Sequence, residues 1–313
     1  MDQRVRLAAR VVVSAIVAVA AAGAGAEDAT ETGAVKVRGG ELYHEAKGAG
    51  PAVVLMRGGL LDGRMWDEQF ELLSKQYRVI RFDARGHGRS SIPAGDYSNY
   101  EDLHEMLVTL GVRHATLVGL SLGGRTAIDF ALAYPAMVDA VVAVAPGLSG
   151  WTFDDPVLAE HERGLKAAAA AQDRAMIVEW FQRSWTDGPK RTPQQVDPVV
   201  RERVRLMALE TLTKLGEGRG ELKEMGAAGR LGELHVPLLA IVGDLDMSDI
   251  HEIVDQLVAK VPGSRKVVIA GAGHMVNLER PTEFNRTLME FLRRRDRRWQ
   301  SRYQRATGLR HPQ

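Results

Sequence analysis

Six short apolar runs recur along this chain, and most are continuous rather than alternating: Val53–Met56, Val79–Phe82, Ala115–Leu120, Val141–Val144, Leu238–Val242 and Lys266–Ile269. A strand covered on both faces reads as such an unbroken run, whereas a half-exposed strand alternates. Helix-period segments separate the runs, so the pattern predicts βαβ units and an α/β fold built on a mostly parallel sheet. An antiparallel pair is expected first, over Val35–Arg38 and Glu41–Ala46, joined at Gly39-Gly40. With 313 residues, 45% of them hydrophobic, the chain has ample material for one large core.

One stretch interrupts the alternation. Residues 150–232 hold no convincing strand, only helical periodicity, with Ile177, Trp180 and Phe181 on one face and Val200, Val204 and Met207 on another. Such an insertion is expected to cap the ligand end of the sheet, dividing the core into residues 27–149 and 233–313. Three of the five tryptophans fall in it: Trp151, Trp180 and Trp185. They are either the cap's internal core or the wall of an apolar substrate pocket, and all three are candidate substrate-binding residues.

Residues 1–26 carry Arg4, Arg6 and Arg10, an apolar run from Val11 to Ala22, and a small-residue site at Ala24-Gly25-Ala26. This pattern predicts a secretory signal cleaved near Ala26 and a secreted or periplasmic protein. The apolar run falls short of the roughly 20 residues a bilayer span needs. Cleavage takes three arginines and Asp2 from totals of 41 basic and 40 acidic residues, leaving 38 against 39. Nothing in that balance calls for a nucleic-acid partner. The absence of cysteine excludes disulfides, thiolate metal sites and a cysteine nucleophile.

The chemistry-bearing string is Gly119-Leu120-Ser121-Leu122-Gly123-Gly124, between a strand-like run and a helix-like segment from Arg125 to Ala133. In that setting Gly-x-Ser-x-Gly has a mechanical meaning: glycines permit a tight turn that holds the serine hydroxyl exposed at a helix N-terminus. Ser121 is therefore the candidate nucleophile, and it needs a base. Of nine histidines, His274 follows a strand-like run on the loop Gly271-Ala272-Gly273, at the sheet edge expected for Ser121. The base needs a carboxylate, and Gly243-Asp244-Leu245-Asp246 leaves a strand at that edge; Asp246 is the first choice and Asp244 the alternative. Oxyanion donors are expected from the Leu122 N–H and from Arg57-Gly58-Gly59-Leu60, with Gly59 preferred over Leu60.

Together these segments resemble the α/β-hydrolase fold family, in its small esterase and lactonase branch, including hydrolases similar to 3-oxoadipate enol-lactonases. Asp83-Ala84-Arg85-Gly86-His87-Gly88-Arg89-Ser90 looks like that family's turn after the fourth strand, where these side chains are structural. The resemblance implies an eight-stranded type of sheet with the cap after its sixth strand, and a small ester or lactone as substrate. No metal or organic cofactor is implied. This chain departs from the family at Arg57, where histidine is usual, and after Asp246, where a proline often follows. The same triad could serve C–C bond hydrolysis or cofactor-free perhydrolysis, and a silent binding protein is the reading from another class. The basic run Arg293, Arg294, Arg295, Arg297 and Arg298 beside Trp299 is expected to be the solvated end of a last helix. The sequence does not fix the oligomeric state.

Overall fold

The computed structural model describes residues 29–215 and 218–307, with side chains described as far as Asp296. The sequence reading of residues 1–26 and of Arg297, Arg298 and Trp299 falls outside these limits. Eight strands form one sheet in the order β1-β2-β4-β3-β5-β6-β7-β8. They span Glu31–Val37, Gly40–Lys47, Ala52–Met56, Arg78–Phe82, Ala115–Leu120, Val138–Val144, Leu238–Gly243 and Arg265–Ile269. β1 and β2 make the antiparallel hairpin, turning at Gly39 with φ 76°, and β2 runs antiparallel to β4. All other pairings are parallel. Every residue of β5 and β7 is buried, which accounts for the unbroken apolar runs.

Helices α1 (Asp67–Leu73), α2 (Asn99–Thr109), α3 (Leu122–Ala133), α7 (Ser248–Lys260), α8 (Val276–Glu279) and α9 (Pro281–Thr307) flank the sheet. Between β6 and β7 come α4 (Pro156–Ala170), α5 (Arg174–Gln182), a π-helical turn Arg183–Asp187 and α6 (Pro198–Leu215). α6 buries Val200, Val204, Met207, Ala208 and Thr211, one stripe at helical spacing.

Polar side chains root this helical insertion in the core. Asp155 caps α4 by accepting from the Val157 and Leu158 N–H groups, and its other oxygen accepts from the Ser248 N–H and hydroxyl at the start of α7. Asp249 answers from α7, accepting from Trp151 Nε1 and from the N–H groups of Asp154 and Asp155. Because β3, β5, β7 and β8 are parallel, the loops after them leave one edge of the sheet, and the insertion lies at that edge.

At the far end of the chain, Arg295 differs from the expectation of a solvated cation. Its guanidinium pairs with Asp296, reaches the Thr116 hydroxyl and lies 3.5 Å from Asp139. Arg294 stays exposed beside Glu290.

Candidate active site

Ser121 sits between β5 and α3 with φ 54° and ψ −111°, a conformation that costs a non-glycine residue on the order of 1–3 kcal/mol. Its surroundings enforce that bend. The Ser121 N–H donates to Val144 of β6 at 2.9 Å, and its carbonyl accepts from Arg125 and Gly147 at 2.9 and 3.0 Å. Glycine is required on either side: a β-carbon on Gly119 would overlap the Gly123 backbone, and one on Gly123 would overlap the Met56 carbonyl of β3. The turn is thus pressed between two neighbouring strand ends with its hydroxyl toward a cavity.

The loop after β8 brings His274 to the same cavity. Nδ1 lies 2.9 and 3.1 Å from the two carboxylate oxygens of Asp246, and both residues are buried. A carboxylate accepts, so Nδ1 carries the proton and Nε2 presents its lone pair. That Nε2 is buried and has no hydrogen-bond partner among the described residues, the Ser121 hydroxyl included. Asp246 is itself fixed by the Met247 N–H at 2.8 Å. Asp244 acts elsewhere, accepting from the Gly271 N–H at 2.7 Å and so shaping the histidine loop.

A cavity of about 240 Å³ joins these groups, lined by Ser121, His274, Gly59 and Leu122, by Arg125 and by apolar side chains including Phe153, Phe181, Trp185 and Ile250. Gly59 faces open space, and its N–H has no acceptor among the described residues. Leu122 is the first residue of α3, so its N–H is one of the unpaired donors at a helix start. Leu60 (φ 55°) does not line the cavity.

The three tryptophans part company. Trp185 lines the cavity with its ring 4.7 Å from that of His274. Trp151 spends its indole N–H on Asp249, and Trp180 packs on Gly164 and His161 inside the insertion. Neither lines the cavity, so the structure gives them to cap anchoring and cap packing. Phe153 takes the expected place of Trp151, edge-on to Trp185 with centroids 6.1 Å apart.

The turn from Asp83 to Ser90 is held together internally: Asp83 accepts from the Gly63 and Arg89 N–H groups, and Arg85 grips Asp102 with two bonds of 2.7 and 2.6 Å. Sequence reasoning missed the pair Arg191–Glu279, nearly buried at 8% and 6% exposure, which ties the insertion to the histidine loop. Glu279 accepts from the Gly273 N–H at 3.1 Å and from Arg191 at 2.5 Å, while Arg191 also donates to the Thr186 and Asp187 carbonyls. Glu279 belongs to the Glu279-Arg280-Pro281 string that resembles the α/β-hydrolase family's, but nothing in the sequence marks Arg191 as its partner; only the contact of two distant segments does.

Residues 51–281 match the α/β hydrolase fold family. The chain is 30% identical over 263 residues to a Bacillus subtilis protein provisionally named a 2-succinyl-6-hydroxy-2,4-cyclohexadiene-1-carboxylate synthase, covering 79% of this chain and 92% of that one. It is 28% identical over 268 residues to a pimeloyl-[acyl-carrier protein] methyl ester esterase of Photobacterium profundum, covering 80% and 98% of the two chains. Among solved structures it resembles a thermophilic esterase from Thermogutta terrifontis, with 26% identity, a TM-score of 0.70, and coverage of 85% of this chain and 99% of that one. The chain belongs to the α/β-hydrolase fold family, and it is an enzyme of the hydrolase class.

Proposed function

We propose that this enzyme cleaves small, partly apolar carboxylic esters or lactones through an acyl-enzyme on Ser121. The observation that carries the reading is the state of His274: one nitrogen is held by Asp246, while the other is bare and shares a cavity with a serine fixed on a strained bend. In the reaction, Ser121 Oγ attacks the carbonyl carbon as its proton passes to His274 Nε2. The carbonyl oxygen becomes an oxyanion held by the Gly59 and Leu122 N–H groups, and the imidazolium by Asp246. The oxyanion collapses, the alkoxy group leaves with the proton from Nε2, and water reverses the sequence to free the acid.

The hydroxyl and the imidazole are not yet hydrogen-bonded, as is common before substrate arrives. A cavity of about 240 Å³ lies below the range of drug-sized pockets, and its aromatic wall suits an apolar acyl or alkyl group. We also propose that residues 1–26 are an export signal, on the strength of their basic, apolar and small-residue pattern.

Turnover of p-nitrophenyl esters by the purified protein tests the proposal. Ser121→Ala should lower kcat by about 10⁴- to 10⁶-fold. A folded wild-type protein that neither turns over these esters nor reacts with a fluorophosphonate is a binding protein, and the proposal is then wrong.

A further inference from the structure

We infer that Arg57 strengthens the oxyanion hole through the Gly58–Gly59 peptide: its guanidinium draws on the Gly58 carbonyl oxygen and so makes the Gly59 N–H a better donor. This rests on the reading of Gly59 as an oxyanion donor.

Arg57 follows β3 and is 4% exposed, yet no carboxylate pairs with it among the described residues. Burial lowers its pKa to about 10, which still leaves a cation at neutral pH. Such a charge must find acceptors, and few are at hand. Nη1 donates to the Gly58 carbonyl at 3.1 Å. Nη2 lies 3.1 Å from His87 Nδ1, but that nitrogen is also 2.7 Å from the Arg85 carbonyl oxygen. A carbonyl oxygen can only accept, so Nδ1 carries the proton and cannot also accept from Arg57. Burial and the Arg57 charge both hold His87 well below its ordinary pKa, which keeps the ring neutral. Gly58 O is left as the acceptor for a desolvated positive charge.

That oxygen and the Gly59 N–H belong to one conjugated amide. Pulling electron density onto the oxygen raises the double-bond character of C–N and leaves the N–H more positive. The amide plane is also fixed. Leu61 donates to the same oxygen at 3.3 Å, and the preceding Arg57–Gly58 amide is oriented by its N–H pointing at Met65 Sδ, 3.2 Å away. Stability gives only a weak reason for the residue. The Asp83 and Asp62 carboxylates favour the cation without pairing directly with it, and a buried charge lacking a direct ion pair is commonly less stable than an apolar side chain of similar length.

Arg57→Met, Arg57→Gln and Arg57→Lys in the full chain test the inference, read by p-nitrophenyl butyrate kinetics, trifluoromethyl ketone inhibition and thermal midpoint. Arg57→Met should lower kcat about tenfold, short of the 10²–10³ lost with a whole donor. KM should hold, and the inhibitor, whose hemiketal oxyanion fills the same hole, should weaken by the same factor. The midpoint should stay level or rise, and Arg57→Lys should recover most of kcat. Arg57→Gln, neutral and polar, should match Arg57→Met and replaces it if that variant does not fold. The inference is overturned if the neutral variants keep wild-type kcat and inhibitor affinity, or lose kcat only with a falling midpoint that Arg57→Lys fails to rescue. It is overturned equally if no neutral variant folds, because the arginine is then a requirement of the fold. Turnover that survives Ser121→Ala defeats the hydrolase reading itself, and the two failures stay distinct.

Discussion

The sheet edge and the helical insertion hold their share of the cavity in different ways. At the sheet edge the turn and loop that carry the reacting groups are fixed by backbone: Ser121 by Val144, Arg125 and Gly147, and the histidine loop by the Leu245 N–H on the Ala272 carbonyl. The helices of the insertion near the cavity are held more by side chains, among them Asp155, Asp249 and the pair Arg191–Glu279, while its last stretch pairs its backbone with residues 93–97. Backbone bonds follow from strand register and survive most substitutions, whereas a side-chain anchor disappears with a single one. The sheet therefore guards the chemistry, and the insertion can change the pocket wall at lower cost.

The contrast can be broken first at the sheet. Asp246→Asn keeps the shape but offers His274 the wrong tautomer, and kcat should fall by roughly 10⁴ with little change in KM. A loss under tenfold in ester assays would show that the carboxylate is not needed. Next comes the anchor. Arg191→Met leaves Glu279 nearly buried and unpaired, which should cost about 3 kcal/mol in a denaturant titration. Adding Glu279→Gln should restore part of that loss, and additive effects of the two changes would deny their coupling. At the pocket wall, Trp185→Ala should shift preference among acyl chains by about 10- to 200-fold while the smallest ester is still turned over. If all esters lose equally, the ring serves His274 rather than the substrate.

The smallest expected effect lies away from the site, at His44 in β2. Both of its ring nitrogens are buried without a partner, and burial, opposed by Glu31, lowers its pKa. The unfolded chain therefore binds the proton more readily than the folded one. Stability is full above about pH 6.5 and declines as pH falls below it. His44→Leu should flatten that acid limb, and an unchanged pH profile of thermal midpoints would assign the slope to other groups.

The fold was legible because it rests on local periodicity. β5 begins and ends where its apolar run does, and β7 and β8 run one residue beyond theirs. β1 starts four residues early, at Glu31, because an edge strand pairs through its backbone and needs no apolar run. The elbow was legible from glycines that only a close approach demands. The pocket wall was not. The sequence reading puts Phe181 on the same helical face as Trp180, yet only Phe181 reaches the cavity, because adjacent residues of α5 point roughly 100° apart. Trp151 and Phe153 stand two residues apart in a segment without regular structure, where no period decides which one turns inward.

The insertion leaves β6 after Val144 and returns at Leu238, and these strands are neighbours in register, Val144 opposite Ile241. Adjacent strands lie ~4.8 Å apart, so the two ends of the inserted segment are clamped side by side whatever lies between them. A clamped gap makes the segment an exchangeable module: lengthening it carries only a slowly growing closure penalty. New substrate preferences can be grafted onto this scaffold between residues 150 and 232 without moving a single pairing of the strands that carry the chemistry.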